Sequence, residues 1–328
     1  MRKLNLTSYV PKPFSGPQKN NQGVPKRKQR LTHTLGSLKR RRAEQPTPPF
    51  IPRTEIQQRM TGTQMEGAFI GPIELPSLEA LVNLLDLRKP VNWQEIMGEN
   101  RVLCIGDVHP SLTTKLKIFA DALNNLPEIT HVAFEFPTQN QVVLDVYCNQ
   151  VEQLGDPESP QMEVIRQPVR ELLYFQLRHR PPEHKAAFVS SFFFAVDQGK
   201  KIITLDANDS ETKNVTQRNL DWLRPIVFNL IDPYAKILVF AGRAHFGPEP
   251  QTFNEVLKRD DNISSSLANF CGSDIHFPEL ETFEDRLYQA IRRRGLEEET
   301  FMIDMNETRF QPFGSFIIHT PSFTPPRR

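Results

Sequence analysis

The sequence predicts an α/β fold, a largely parallel central sheet flanked by helices, preceded by a disordered basic tail. Three observations carry this. Short apolar runs alternate with stretches whose apolar residues recur at helical spacing, the pattern of strand–helix–strand units. Several of the apolar runs end in a glycine, an acid or a histidine, as parallel strands do where they deliver chemistry to one rim. The charge is also divided unevenly along the 328 residues, whose formal sum is only +1. Fourteen Lys or Arg and only two acids, Glu44 and Glu55, fall within the first 60 residues, so that stretch carries +12 and the rest −11.

The basic stretch also holds eight prolines and few large apolar residues. Such a chain buries too little apolar surface to offset its ordering entropy. Residues 1–67 are therefore expected to be a disordered tail, and residues 68–328 the folded domain. Lys26–Arg27–Lys28–Gln29–Arg30 and Lys39–Arg40–Arg41–Arg42 read as solvated charge that meets nucleic acid or acidic surfaces without reading sequence. The three cysteines, Cys104, Cys148 and Cys271, form no C-x-x-C pair. That argues for a reducing compartment and against a disulfide framework. No stretch approaches the ~18 apolar residues of a membrane span, and the N-terminus lacks the apolar core of a secretory signal. A cytoplasmic location is expected, with export by a route that needs no conventional signal peptide as the alternative.

The elements follow in order. Ser77 is a candidate N-cap for LEALVNLLDL, and NWQEIMG forms a second short helix closed by Gly98. Val102–Ile105 is the first strand. Leu116, Ile118, Phe119, Ala122 and Leu123 then mark a helix over Thr113–Leu126. His131–Phe136 is a buried strand, and the strand–helix–strand unit predicts that it lies parallel and adjacent to the first. Helices are expected over Gln139–Gln153, Glu163–Arg178 and His184–Gln198, with Ser191–Phe194 in the core. A strand at Ile202–Leu205 follows, then a helix over Thr216–Ile231 that Pro225 should kink, then a strand at Ile237–Phe240. Phe301–Met305 and Ser315–Thr320 read as late strands. No internal repeat is present, and the pattern does not order the strands.

Four strands end in polar residues: Asp107 and His109, Glu135, Asp206, and Arg243 with His245. Parallel strands would bring these to one rim. There a neutral histidine takes a proton from water and a carboxylate orients its ring. Alternatively, Asp107, His109, Glu135 and His245 hold a divalent ion that acidifies bound water. Gly106 and Gly242, just before the two histidines, would let the backbone approach a ligand closely. Asp206 opens the turn-like DANDS and reads as a turn residue. His131, His276 and His319 read as structural, and the proline-bearing Arg180–Glu183 between His179 and His184 reads as a loop that binds no metal.

Asp-x-His after a strand also opens a metallophosphoesterase site, which remains an alternative. That family further needs Gly-Asp-x-x-Asp, Gly-Asn-His and a late Gly-His-x-His, and the sequence supplies none of them. A longer succession fits better. GDVH after a strand, HVAFEF with its glutamate, Gln217–Arg218–Asn219 opening a helix and VFAGRAHFG resemble the haem-binding uptake and Tiki superfamily. That group includes ChaN-like, TraB-like and erythromycin-esterase-like proteins. The resemblance spans Val102 to Gly247 and implies that His109, Glu135, Arg218 and His245 share one pocket. It implies a hydrolase-like domain acting on an ester or peptide bond of a small-molecule or peptide substrate. His109 would be general base or metal ligand, His245 its partner, Glu135 the orienting carboxylate and Arg218 an anion holder. Members linked to haem or iron supply the alternative of a haem-binding protein without turnover. A third alternative is an exported interaction protein with a vestigial pocket. Asp107 stands where the family carries Glu, one methylene shorter.

Overall fold

The computed structural model describes residues 75–321, except 108–111, 157–158, 179–181, 208–212, 243–244, 248–249, 272–282, 307 and 309–314. The basic tail therefore lies outside the described residues, as do His109, Arg243, His179 and His276.

The approach helices form as the sequence predicts. Ser77 caps α1 (Leu78–Leu84) by accepting the Ala80 N–H at 3.2 Å. Asn92 caps α2 (Trp93–Met97), which Gly98 closes at φ 52°, where a side chain would be strained. There follow β1 (Val102–Asp107), α3 (Leu112–Asn125), β2 (His131–Pro137), α4 (Gln141–Leu154), α5 (Pro160–Gln176), α6 (Pro182–Asp197) and β3 (Lys201–Asp206). The chain continues through α7 (Val215–Asn229), β4 (Ile237–Gly242), α8 (Phe253–Asp261), β5 (Ser265–Cys271), α9 (Phe283–Arg293), β6 (Phe301–Asp304) and β7 (Phe316–His319). Pro225 lies inside α7 and Pro168 inside α5.

The seven strands form one sheet in the order β3-β2-β4-β1-β5-β7-β6. All neighbours are parallel except β6 and β7. Two features correct the sequence reading. First, β1 and β2 are not adjacent, because β4 lies between them and pairs with both. All six residues of β4 are buried, and a strand apolar on both faces belongs inside a sheet. Secondly, β5 is a central strand that the pattern missed. Its Ser266 and Asn269 break the apolar run, yet both are buried. Ser266 is accommodated because Asn100 donates to its hydroxyl at 2.7 Å.

Helices cover both faces. On one, Leu103, Ile105, Val132, Phe134, Phe136 and Phe240 pack against α2 through α6. Phe134 there meets Phe119, Phe188 and Phe192 at ring separations of 5.5–6.2 Å. On the other, Cys104, Ala133, Ile203, Leu205 and Val239 pack against α7 and α8. Further along that face Cys271, Ile303 and Ile317 meet α1 and α9. The three cysteines are free thiols, and burial pushes that of Cys104 up to about 12, where it stays protonated. Among the described residues no helix is long and apolar enough to cross a membrane.

Both sheet edges are covered. Lys89 exchanges backbone hydrogen bonds with Met302 on β6 at 2.8–2.9 Å. On β3, the Gln141 side chain substitutes for a neighbouring peptide group. Its amide donates to the Ile202 carbonyl at 2.7 Å, and its oxygen accepts the Thr204 N–H at 2.8 Å. Sealing an exposed edge in this way removes a template for aberrant pairing. Replacing Gln141 with Ala should cost about 1–2 kcal/mol, the penalty for unsatisfied, partly buried peptide groups. Urea unfolding of the variant measures it; a loss below about 0.3 kcal/mol would show that the amide contributes no stability.

Candidate functional site

The site lies at the end of β2, where its register with β3 shifts. β2 and β3 stay in register through Phe134↔Thr204, but the next pair is Pro137↔Asp206. Glu135 and Phe136 therefore oppose the single residue Leu205, which is a β-bulge. Phe136 still joins the aromatic face, whereas the Glu135 carboxylate meets groups carried by α7 and β4. One carboxylate oxygen accepts the Gly242 backbone N–H, and the other accepts Arg218 Nη2 at 2.8 Å.

Strand connections point to a crevice at this rim. The helix after β2 packs on one face, while those after its neighbours β3 and β4 pack on the other. Loops leaving adjacent parallel strands in opposite directions open a gap beyond the carboxyl ends.

The first turns of α7 line that gap. Asn214 caps the helix in a capping box with Gln217, which spends Gln217 on the helix start. The next residue, Arg218, reaches Asp206 through Nε at 3.1 Å and Nη2 at 2.9 Å, besides Glu135. One turn on, Trp222 donates its indole N–H to the same Asp206 oxygen at 3.1 Å. Asp206, read as a turn residue, is thus a member of the cluster. His245, just past β4, stacks on Trp222 with ring centroids 4.1 Å apart and 26° between planes. Its Nδ1 lies 2.6 Å from Asn219 Oδ1, and its Nε2 lies 3.8 Å from Glu135 Oε2. The Asn219 amide nitrogen donates to the Gln251 carbonyl at 2.8 Å.

The electrostatics follow from this packing. Burial alone would raise Glu135, but His245, Arg218 and the Gly242 N–H together hold it below its ordinary value. Burial outweighs Arg218 at Asp206 and pushes it up, and the Glu135 charge adds to the rise. Burial opposes the Arg218 charge, but its two carboxylates more than compensate and keep it cationic. Arg218, expected to hold a substrate anion, thus spends Nε and Nη2 on the protein's own acids.

The structure brings Glu135, Arg218, His245 and Gly242 together. Gly106 is buried within β1, paired with Ala241 and Asn269. The backbone of Asp107 pairs with Gly242 at the same rim. Among the described residues no group of three or more His, Cys, Asp or Glu is arranged to hold a metal ion. Sequence reasoning missed the roles of Asn219 and Trp222. The available signals were the Gln217–Arg218–Asn219 run at the helix start for Asn219 and, for Trp222, its place four residues after Arg218 on the same helix face.

Replacing Arg218 with Met would leave two buried carboxylates facing each other. We expect a loss of about 3 kcal/mol or more, measured by chemical denaturation; a loss under 1 kcal/mol would contradict the network. For pH, a lowered folded-state value at Glu135 means that its contribution is present above its ordinary 4.5 and fades as pH falls below it. The stability gap between wild type and Glu135→Gln should therefore narrow on acidification below that value. A gap that is constant with pH would show that Glu135 is not stabilised as its anion.

No family model matches the chain, and no curated protein matches it. Among solved structures, the type III effector HopBA1 is similar with a TM-score of 0.41 at 11% identity, over 68% of this chain and 88% of that one. A succinoglycan biosynthesis protein gives 0.44 at 11% identity, over 74% and 97%. ChaN of Campylobacter jejuni, in a structure described as cofacial haem binding, gives 0.37 at 12% identity, over 74% and 91%. ChaN is thus a distant structural neighbour, and at these values none of the three assigns a family or a function to this chain.

Proposed function

We propose that the domain is a hydrolase that cleaves an ester or peptide bond in a small-molecule or peptide substrate, with His245 as its proton-transfer residue. The observation that carries this is the facing of His245 Nε2 and Glu135 Oε2 at 3.8 Å at this rim. A neutral His245 takes a proton from water as the water oxygen attacks the acyl carbon. The imidazolium so formed lies beside the Glu135 carboxylate, which Arg218 and the Gly242 N–H hold ionised. His245 then returns the proton to the leaving oxygen or nitrogen as the acyl bond breaks. His109, two residues beyond the Asp107–Gly242 pair, is proposed as the second histidine of the same rim.

A divalent ion fits the described donors poorly. Both Glu135 oxygens already accept hydrogen bonds from Gly242 and Arg218, and Asp206 is held by Arg218 and Trp222. No step is routed through a metal.

The test is turnover of a panel of p-nitrophenyl esters and fluorogenic peptides by wild type, His245→Ala and Glu135→Gln. A positioned base is worth roughly 10²–10⁴ in rate, so His245→Ala should lose about that factor in kcat while its circular dichroism stays native. Undiminished turnover in His245→Ala, or no turnover by wild type across the panel, overturns the proposal.

A further inference from the structure

We infer that Asn219 is a positioning residue that locks His245 in its Nδ1–H form and so leaves Nε2 as the basic nitrogen facing Glu135. The Gln251 carbonyl accepts and cannot donate, so the group that faces it at 2.8 Å is the Asn219 NH₂. That fixes the other end of the amide, Oδ1, towards His245. An amide oxygen has only lone pairs, so the 2.6 Å contact requires the hydrogen to sit on His245 Nδ1. In a neutral ring the lone pair is then on Nε2.

Three further features keep the ring in this state. Asn219 and Trp222 are fully buried and His245 is 3% exposed, so water has little access to replace the amide. Stacking on Trp222 fixes the plane of the ring. A flip within that plane would turn a C–H towards Asn219 and forfeit the bond. The imidazolium also donates from Nδ1, so the Asn219 bond persists whether or not Nε2 carries a proton. Proton exchange is thereby confined to the nitrogen that faces Glu135. Residues from α7 and from the connection after β4 set the state of a ring that neither could orient alone.

The catalytic consequence rests on the reading of His245 as a proton-transfer group, but the tautomer does not. The test is a long-range ¹H–¹⁵N spectrum of the full chain labelled with ¹⁵N-histidine, with His245 assigned by the signals lost in His245→Gln. Above the ring's midpoint, wild type should show a protonated Nδ1 and an unprotonated Nε2. Asn219→Leu should shift towards the Nε2–H form that a free imidazole favours, and kcat should fall at least about tenfold with KM little changed. Asn219→Asp, which keeps an acceptor, should restore the Nδ1–H signature and move the protonation midpoint up. A wild-type ring in the Nε2–H form, or an unaltered signature in Asn219→Leu, overturns the inference. The wild-type spectrum decides even where the leucine variant does not fold. If the signature is as expected while His245→Ala keeps full turnover, the tautomer lock stands and the hydrolase reading falls.

Discussion

The arrangement at the rim depends on one guanidinium shared between two carboxylates. Glu135 ends β2, Asp206 ends β3 and Arg218 opens α7, so a single side chain ties two strands to the helix that covers them. Without the cation, two partly buried acids on neighbouring strands would repel each other and one would take up a proton. With it, Glu135 remains ionised and its carboxylate can accept the Gly242 N–H, which carries the tie across to β4. The planar fork suits this task, because Nε and Nη2 lie on one edge and can address two acceptors at once.

The strand's own alternation makes that geometry accessible. A regular strand alternates its side chains strictly between faces. At the end of β2, this alternation places Phe134 and Phe136 in the aromatic layer on one side while Glu135 between them serves the polar cluster on the other. Core and site thus meet at consecutive residues without either being compromised. α7 divides its labour in the same way. Trp222 and Ile226 fill the apolar interface with the sheet, while Arg218, Asn219 and the indole N–H of the same Trp222 face polar partners. The aromatic ring is therefore both core and site wall, packed in the apolar layer and stacked on His245.

Much of this was legible in the chain. Strand-forming apolar runs, the Ser77 and Asn92 starts, and the break at Gly98 are local signals governed by local sterics and capping. The polar residues that end the strands were also readable, and Glu135, Arg218 and His245 do converge. What failed had non-local causes. β5 was hidden because the buried Ser266 depends on Asn100, a partner 166 residues away. Asp206 looked like a turn because DANDS is turn-like, and only Arg218 and Trp222 give it another purpose. The expected neighbour of β1 was wrong because β4, far along the chain, pairs with both β1 and β2, and pairing between distant segments leaves no local signal.

By itself, then, the sequence determined the fold class, the places where strands end and the residue types that stand at those ends, because each is set by periodicity and by backbone preferences a few residues long. Tertiary structure alone decided that β4 separates β1 from β2, that the polar face of β2 meets α7 at Glu135, and that Arg218 serves two internal acids. It alone brought Asn219 to the ring of His245. The reason is that a proton on an imidazole is assigned by whichever partner faces it, and these partners lie 26 residues apart in sequence.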